Sequence, residues 1–118
     1  DKELEQDIEK GKVNIMTMHM GKGLTKEAVI ILGAEDENIP GRAEGDQIGD
    51  ERRLLYVSLT RAKDFLFITY CNERTGQQRH TGRASGQTYR SLTRFLQDSN
   101  IKPQRGREYI QNLEGGGL

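Results

Sequence analysis

The stretch Glu51 to Tyr70, ERRLLYVSLTRAKDFLFITY, decides the architecture. Residues 51–63 read as a helix, because Leu55, Leu59 and Ala62 recur on one helical face with Leu54 and Ser58 beside it. Asp50, just before it, is a residue type suited to the N-cap. Phe65 to Tyr70, FLFITY, is aromatic and aliphatic throughout and reads as a strand. Upstream, Ala28 to Leu32, AVIIL, is a continuous β-prone run. That pattern suits a strand covered on both faces, as in a parallel sheet. Val13 to Met18 reads as another strand, with Val13, Ile15 and Thr17 facing one way and Asn14, Met16 and Met18 the other. Gly21 to Glu27 is then a turn or a single helical turn. Strand, short crossover, strand, helix, strand is an α/β order. The predicted fold class is α/β, a partial domain with a small, mainly parallel sheet and flanking helices. Three strands leave two open edges, so further strands are expected to precede residue 1.

The remaining segments are plainer. Residues 1–10, DKELEQDIEK, favour helix, with Leu4 and Ile8 one turn apart and Gly11 as a stop. Gly33 to Gly49 is an acidic, Gly-rich loop broken by Pro40. Residues 72–88 are almost devoid of apolar side chains and carry Arg74, Arg79 and Arg83, the composition of a disordered loop. Tyr89 to Gln97 reads as a short helix with Tyr89, Leu92, Phe95 and Leu96 on its apolar face. The division expected is a leading helix and linker at 1–12, a folded unit at 13–97 and a flexible tail at 98–118, ending in Gly115-Gly116-Gly117.

A chain of 118 residues makes at most one domain. With 33% hydrophobic and 31% charged residues and no Trp, it has little to bury. Either long stretches are solvated or apolar surface is kept for a partner. The net charge of zero hides an asymmetry: residues 1–50 hold 6 basic and 12 acidic residues, and residues 51–118 hold 12 basic and 6 acidic. One surface facing a polyanion fits this division, as do two solvated charge runs. Cys71 is the sole cysteine, which excludes an internal disulfide and favours a reducing, cytoplasmic setting. The longest apolar run, Ala28 to Leu32, is far too short to span a membrane. Lacking an initiator Met and beginning in helical character, the chain is expected to come from something larger.

Several chemistries can be weighed on the residues alone. A phosphate loop needs G-x-x-x-x-G-K-[ST], so that backbone N–H groups wrap the phosphates and a hydroxyl reaches Mg²⁺. Around Gly21-Lys22 the first glycine is replaced by Met16 and the hydroxyl by Gly23, so that reading fails. AVIILGAEDE is a poor magnesium motif, since its first acid, Glu35, arrives only after Gly33 and Ala34. What remains is Lys22 on a tight turn after a strand, open to phosphate or simply solvated. Arg61 stands near the end of a core-facing helix, where its fork of donors can grip phosphate oxygens; such an arginine is ordinarily solvated or ion-paired. His19, His80 and Cys71 lack the spacing of metal ligands, and no third group orients them as a nucleophile and base. Arg74, Arg79 and Arg83 suit either a nucleic-acid backbone or a solvated loop.

Two segments in series, VNIMTMHMGKGL at 13–24 and ERRLLYVSLTRAK at 51–63, make the chain resemble the C-terminal part of UvrD/Rep/PcrA-type superfamily 1 DNA helicases over about residues 12–97. The resemblance implies part of a second RecA-like domain of the P-loop NTPase type. It implies ATP with Mg²⁺, bound jointly with an N-terminal RecA-like domain that is expected upstream in the same polypeptide. It further implies translocation on single-stranded DNA and unwinding of duplex DNA, with a 3′ to 5′ direction implied by the resemblance alone. Arg61 matches the family's arginine finger toward the γ-phosphate. Lys22 and Gly23 match residues near the phosphates. Thr17 and His19 match positions on the DNA side, joined by Arg74 and Arg79 of the basic loop. Glu51, Arg52, Arg53, Tyr56 and Thr60 match scaffold positions. Thr25 stands where the family places a glutamate near the ribose, leaving that contact to Thr25 or to Glu27. Without a phosphate loop the chain alone is expected to be inactive. A non-catalytic module of this fold and the helicase arm of a RecB-like helicase–nuclease are the alternatives. No membrane partner is expected.

Overall fold

The computed structural model describes residues 11–83 and 85–115, so the helix expected over 1–10 lies outside the described residues. The elements in order are α1 (Met18–Gly21), β1 (Lys26–Ile31), α2 (Asp46–Leu59), β2 (Ala62–Ile68), a 3₁₀ turn (Gly76–Arg79), α3 (Arg94–Gln97) and α4 (Gly106–Glu114). β1 and β2 form a two-stranded parallel sheet with α2 as the connection between them. Parallel neighbours need such a crossover, and a helix supplies it while covering one sheet face. The α/β class therefore holds.

Register explains which face is covered. Val29 pairs with Leu66 and Ile31 with Ile68, while Ala28 pairs with Phe65 and Ile30 with Phe67. Ile31 joins Ile39, Leu55 and Leu96 in the buried core, with Val29, Leu59, Ile68, Leu92 and Phe95 packed around them. Alternation sends Ile30, Phe65 and Phe67 to the opposite face, where they remain exposed. The sheet is thus covered on one face rather than both. α4 gives that second face partial cover, with Tyr109 meeting Phe67 edge-on at a centroid distance of 6.3 Å.

Several expected boundaries move. Val13 to Thr17 forms no strand among the described residues, and Val13 and Ile15 are each 90% exposed. A β-prone sequence becomes a strand only when a neighbour takes its backbone groups. The long helix begins at Asp46, behind a Gly45 N-cap, and ends at Leu59. Asp50 is therefore inside the helix, bonded to Arg53 one turn on, and not its cap. Arg61 lies beyond the helix, in the turn into β2. The helix expected over Tyr89 to Gln97 shrinks to α3, because Tyr89 bridges Glu73 and Leu92 bridges Glu35 in extended conformation. Tyr89 is accordingly exposed rather than in the core. The stretch 98–118, expected to be a flexible tail, includes α4 at Gly106–Glu114.

Candidate functional site

The two cations singled out from the sequence stand at the amino ends of the two strands. Lys22 is the C-cap of α1, four residues before β1 begins. Arg61 immediately precedes β2. The Lys26 amide donates to the Arg61 carbonyl at 2.9 Å, which ties the two turns together. A paired strand over Val13 to Met18 would instead place Lys22 at the carboxyl end of the sheet. Thr25 is exposed just before β1, and Glu27 is exposed within it, beside a bulge between Lys26 and Ala28.

Arg61 is half-buried against its own helix. Its Nε donates to the Val57 carbonyl at 3.2 Å and its Nη2 to the Thr60 hydroxyl at 3.4 Å. Free carbonyls at a helix C-terminus favour a cation there. Val57 also lines a small recess with Lys22, His19 and Arg53. Thr17 caps α1, its hydroxyl accepting from the Met20 amide at 3.2 Å. This bond fixes the single turn on which His19 stands exposed. Gly23 lies in the turn between α1 and β1. The structure thus joins His19 and Lys22 at one recess, with Arg61 abutting it through Val57.

The carboxyl end of the sheet holds what the sequence reading missed. The acidic loop is not solvated: Glu35, Asp36 and Glu37 are all buried. Each is matched by a distant cation or donor. Arg74 grips Glu35 with Nε–Oε1 at 2.6 Å and Nη2–Oε2 at 2.9 Å. Asp36 accepts from Arg83 at 2.8 Å and twice from the Arg94 guanidinium at 2.9 Å. Glu37 accepts from the Ser91 amide at 3.0 Å. Charge-assisted, bidentate geometry of this kind is what makes buried carboxylates tolerable. The described residues of 72–88, read from composition as a loop open to disorder, are therefore clamped over the acidic loop. Arg74, expected on the nucleic-acid backbone, has its fork taken up by Glu35 in an internal ion pair. Arg79 has its Nε buried without a hydrogen-bond partner. The signal available in sequence was three consecutive acids answered by arginines at 74, 83 and 94.

Arg94's side chain, opposed by burial and helped by Arg83, holds the Asp36 carboxyl well below the usual carboxylate range. Its partners respond in kind: Asp36 raises Arg94 and Glu35 raises Arg74. The consequence for pH has a definite sign. Unfolded Asp36 takes up its proton near pH ~3.9, whereas folded Asp36 resists to lower pH. Its stabilisation is complete above that value and is lost as pH falls below it. The urea midpoint is expected to drop on acidification below about pH 4, and Asp36→Asn should flatten that drop while lowering stability at neutral pH. An unchanged acid limb in Asp36→Asn would show that the pair does not govern it.

This network also builds a wall. It fixes the loop 38–43, which faces the first half of α2 across a groove of about 700 Å³ with His19 at its rim. Gly82 closes over the loop, and only glycine fits there. Its φ is +66°, and a Cβ would fall 1.9 Å from the Glu37 carbonyl oxygen. Among the described residues no group of three His, Cys, Asp or Glu is placed to hold a metal ion, and no helix is long and apolar enough to cross a membrane.

Residues 1–73 match the family model for the UvrD-like helicase C-terminal domain. The ATP-dependent DNA helicase Rep of Buchnera aphidicola subsp. Schizaphis graminum is 42% identical over 79 residues, covering 64% of this chain and 12% of that protein. The ATP-dependent DNA helicase PcrA of Staphylococcus aureus is 43% identical over 75 residues, covering 59% of this chain and 10% of that protein. A probable DNA helicase II homolog of Mycoplasma capricolum is 47% identical over 62 residues, covering 50% and 9%. The chain spans about a tenth of the length of these curated relatives.

Proposed function

The chain belongs to the UvrD-like helicase C-terminal domain family, and from this we propose that it serves as part of the second RecA-like domain of an ATP-dependent DNA helicase. The observation that carries the reading is the pairing of the Lys22 and Arg61 turns through the Lys26–Arg61 main-chain bond. Two cations at adjacent strand ends suit a polyphosphate, as Arg forks and Lys point charges do elsewhere. Lys22 and Gly23 face the phosphates, Arg61 reaches the γ-phosphate, and Thr25 or Glu27 meets the ribose. The residues present suit phosphate, but among the described residues there is no donor set for Mg²⁺, which is assigned to an N-terminal RecA-like domain of the same polypeptide. Mg²⁺ there would offset charge on the phosphates; this chain's own part is to bring cations to them. Thr17 and His19 contact single-stranded DNA, with Arg79 as a further candidate, so one short segment links nucleotide and strand. The setting is cytoplasmic and the direction of travel 3′ to 5′.

The test is unwinding. With ATP, the full-length helicase is expected to displace a strand from a 3′-tailed duplex and not from a 5′-tailed one, while the 118-residue chain alone turns over no ATP, with or without single-stranded DNA. Turnover by the chain alone would overturn the shared-site reading, and unwinding confined to 5′-tailed duplex would overturn the direction.

A further inference from the structure

We propose that α4 is a conditional strap: it is helical only while docked on the outer face of the β1–β2 sheet, and it shields that face reversibly. The outer face carries Ile30, Phe65 and Phe67. Ile30 and Phe65 are 59% and 61% exposed, whereas Phe67, which meets Tyr109, is less open at 39%. The chain reaches α4 through residues 98–105, every one of which is exposed, so no packed segment holds the helix in place.

α4 has little helical stability of its own. With 9 residues, it is shorter than the roughly 12–15 that an isolated helix needs in water. No side chain caps its start, Gly106 occupies the first helical position, and Glu114 stands unfavourably at its last. What α4 does have is one apolar face. Tyr109 and Leu113, one turn apart, are its half-buried residues, whereas Ile110 beside them is 54% exposed. Tyr109 lies edge-on to Phe67, with ring centroids 6.3 Å apart and planes at 69°, a favourable aromatic geometry. Ordering the segment costs conformational entropy that the sheet contact offsets. Folding and docking of α4 are therefore one step, and its release leaves Phe67 as open as Phe65.

Substitution at Tyr109 tests the coupling by sign. Alanine is the best helix former, so an autonomous α4 would gain helix in Tyr109→Ala and a docked one would lose it. Hydrogen exchange read by mass spectrometry on the full chain should show the α4 amides exchanging about tenfold faster in Tyr109→Ala. Phe67→Ala should speed them likewise, although it alters the sheet and not the helix. Phe67 lies outside the buried core of Ile31, Ile39, Leu55 and Leu96, so the rest of the fold should persist in that variant. Ile110→Ala should leave the α4 amides within about twofold. A chain ending at Arg105 should raise the fluorescence of the dye ANS, which reports open apolar surface, by about threefold. Unchanged or slower α4 exchange in Tyr109→Ala overturns the coupling. Faster exchange there but not in Phe67→Ala overturns docking on the sheet. Dye fluorescence unaltered by the truncation overturns the shielding.

Discussion

Arg61→Ala in the full-length helicase is expected to lower DNA-stimulated ATP turnover by about 10³-fold or more while leaving single-stranded DNA affinity nearly unchanged. A loss of that size corresponds to about 4 kcal/mol of transition-state stabilisation. It is large because a guanidinium supplied across a domain boundary meets charge that develops only as the phosphoryl group transfers. Arg61 is suited to this by how lightly it is held. Its two side-chain hydrogen bonds, at 3.2 and 3.4 Å, go to uncharged oxygens on its own helix end. Such bonds contribute about 0.5–1.5 kcal/mol each, so redirecting the side chain costs little beside what phosphate would return. By contrast, the arginines at 74, 83 and 94 are all committed to carboxylates. Arg61→Lys keeps the charge but loses the planar fork, and it should recover only a small part of the turnover. Steady-state ATP hydrolysis with saturating single-stranded DNA is the measurement. Turnover within a few-fold of the unmodified enzyme would remove Arg61 from the nucleotide site.

What was legible in the sequence follows local rules. AVIIL and FLFITY announce strands by composition, and both appear, displaced by a few residues, as β1 and β2. Leu55 and Ser58 are buried on α2, as the helical spacing required. Parallel pairing followed from having one helix between them. What was illegible depends on distant partners. Val13 to Thr17 has strand composition but no neighbour among the described residues. Asp50 suits a cap by residue type, yet the cap is Gly45, upstream of it, where the loop delivers the chain with φ +57°. Above all, a run such as Glu35-Asp36-Glu37 reads as solvated because burying charge is costly. Its burial is made tolerable by arginines 39 to 58 positions further on, which no local window contains. In the candidate site, the order Thr17, His19, Lys22, then Arg61 was visible from the motifs. The groove was not, since its walls are joined only by that long-range network.

The strongest stability effect is expected at the most buried ion pair of this network, Arg74 with Glu35. Arg74→Ala should destabilise the chain by about 3–5 kcal/mol in urea unfolding, because it strands a carboxylate rather than merely removing a contact. Glu35's side chain has no exposure, and Arg74's is 18% exposed. Without Arg74, the remaining donor to Glu35 is the Cys71 amide at 3.2 Å, a poor replacement for two charge-assisted bonds. The Asp50–Arg53 pair provides the internal contrast. Its separation, 2.8 Å, is as short, yet both side chains are 74% exposed. Removing it should change stability by less than about 1 kcal/mol, since water already solvates each charge. Distance is alike in the two pairs and burial is not, so burial decides the outcome. A stability of roughly 5–15 kcal/mol is usual for a domain, so the Arg74→Ala loss would be a large share of the whole. Pairing Arg74→Met with Glu35→Gln should restore much of it, because the double variant leaves no buried charge unanswered. That recovery also separates a structural arginine from a DNA contact. If Arg74 instead served the phosphate backbone, Arg74→Ala would weaken DNA binding and its salt dependence while leaving the urea midpoint in place.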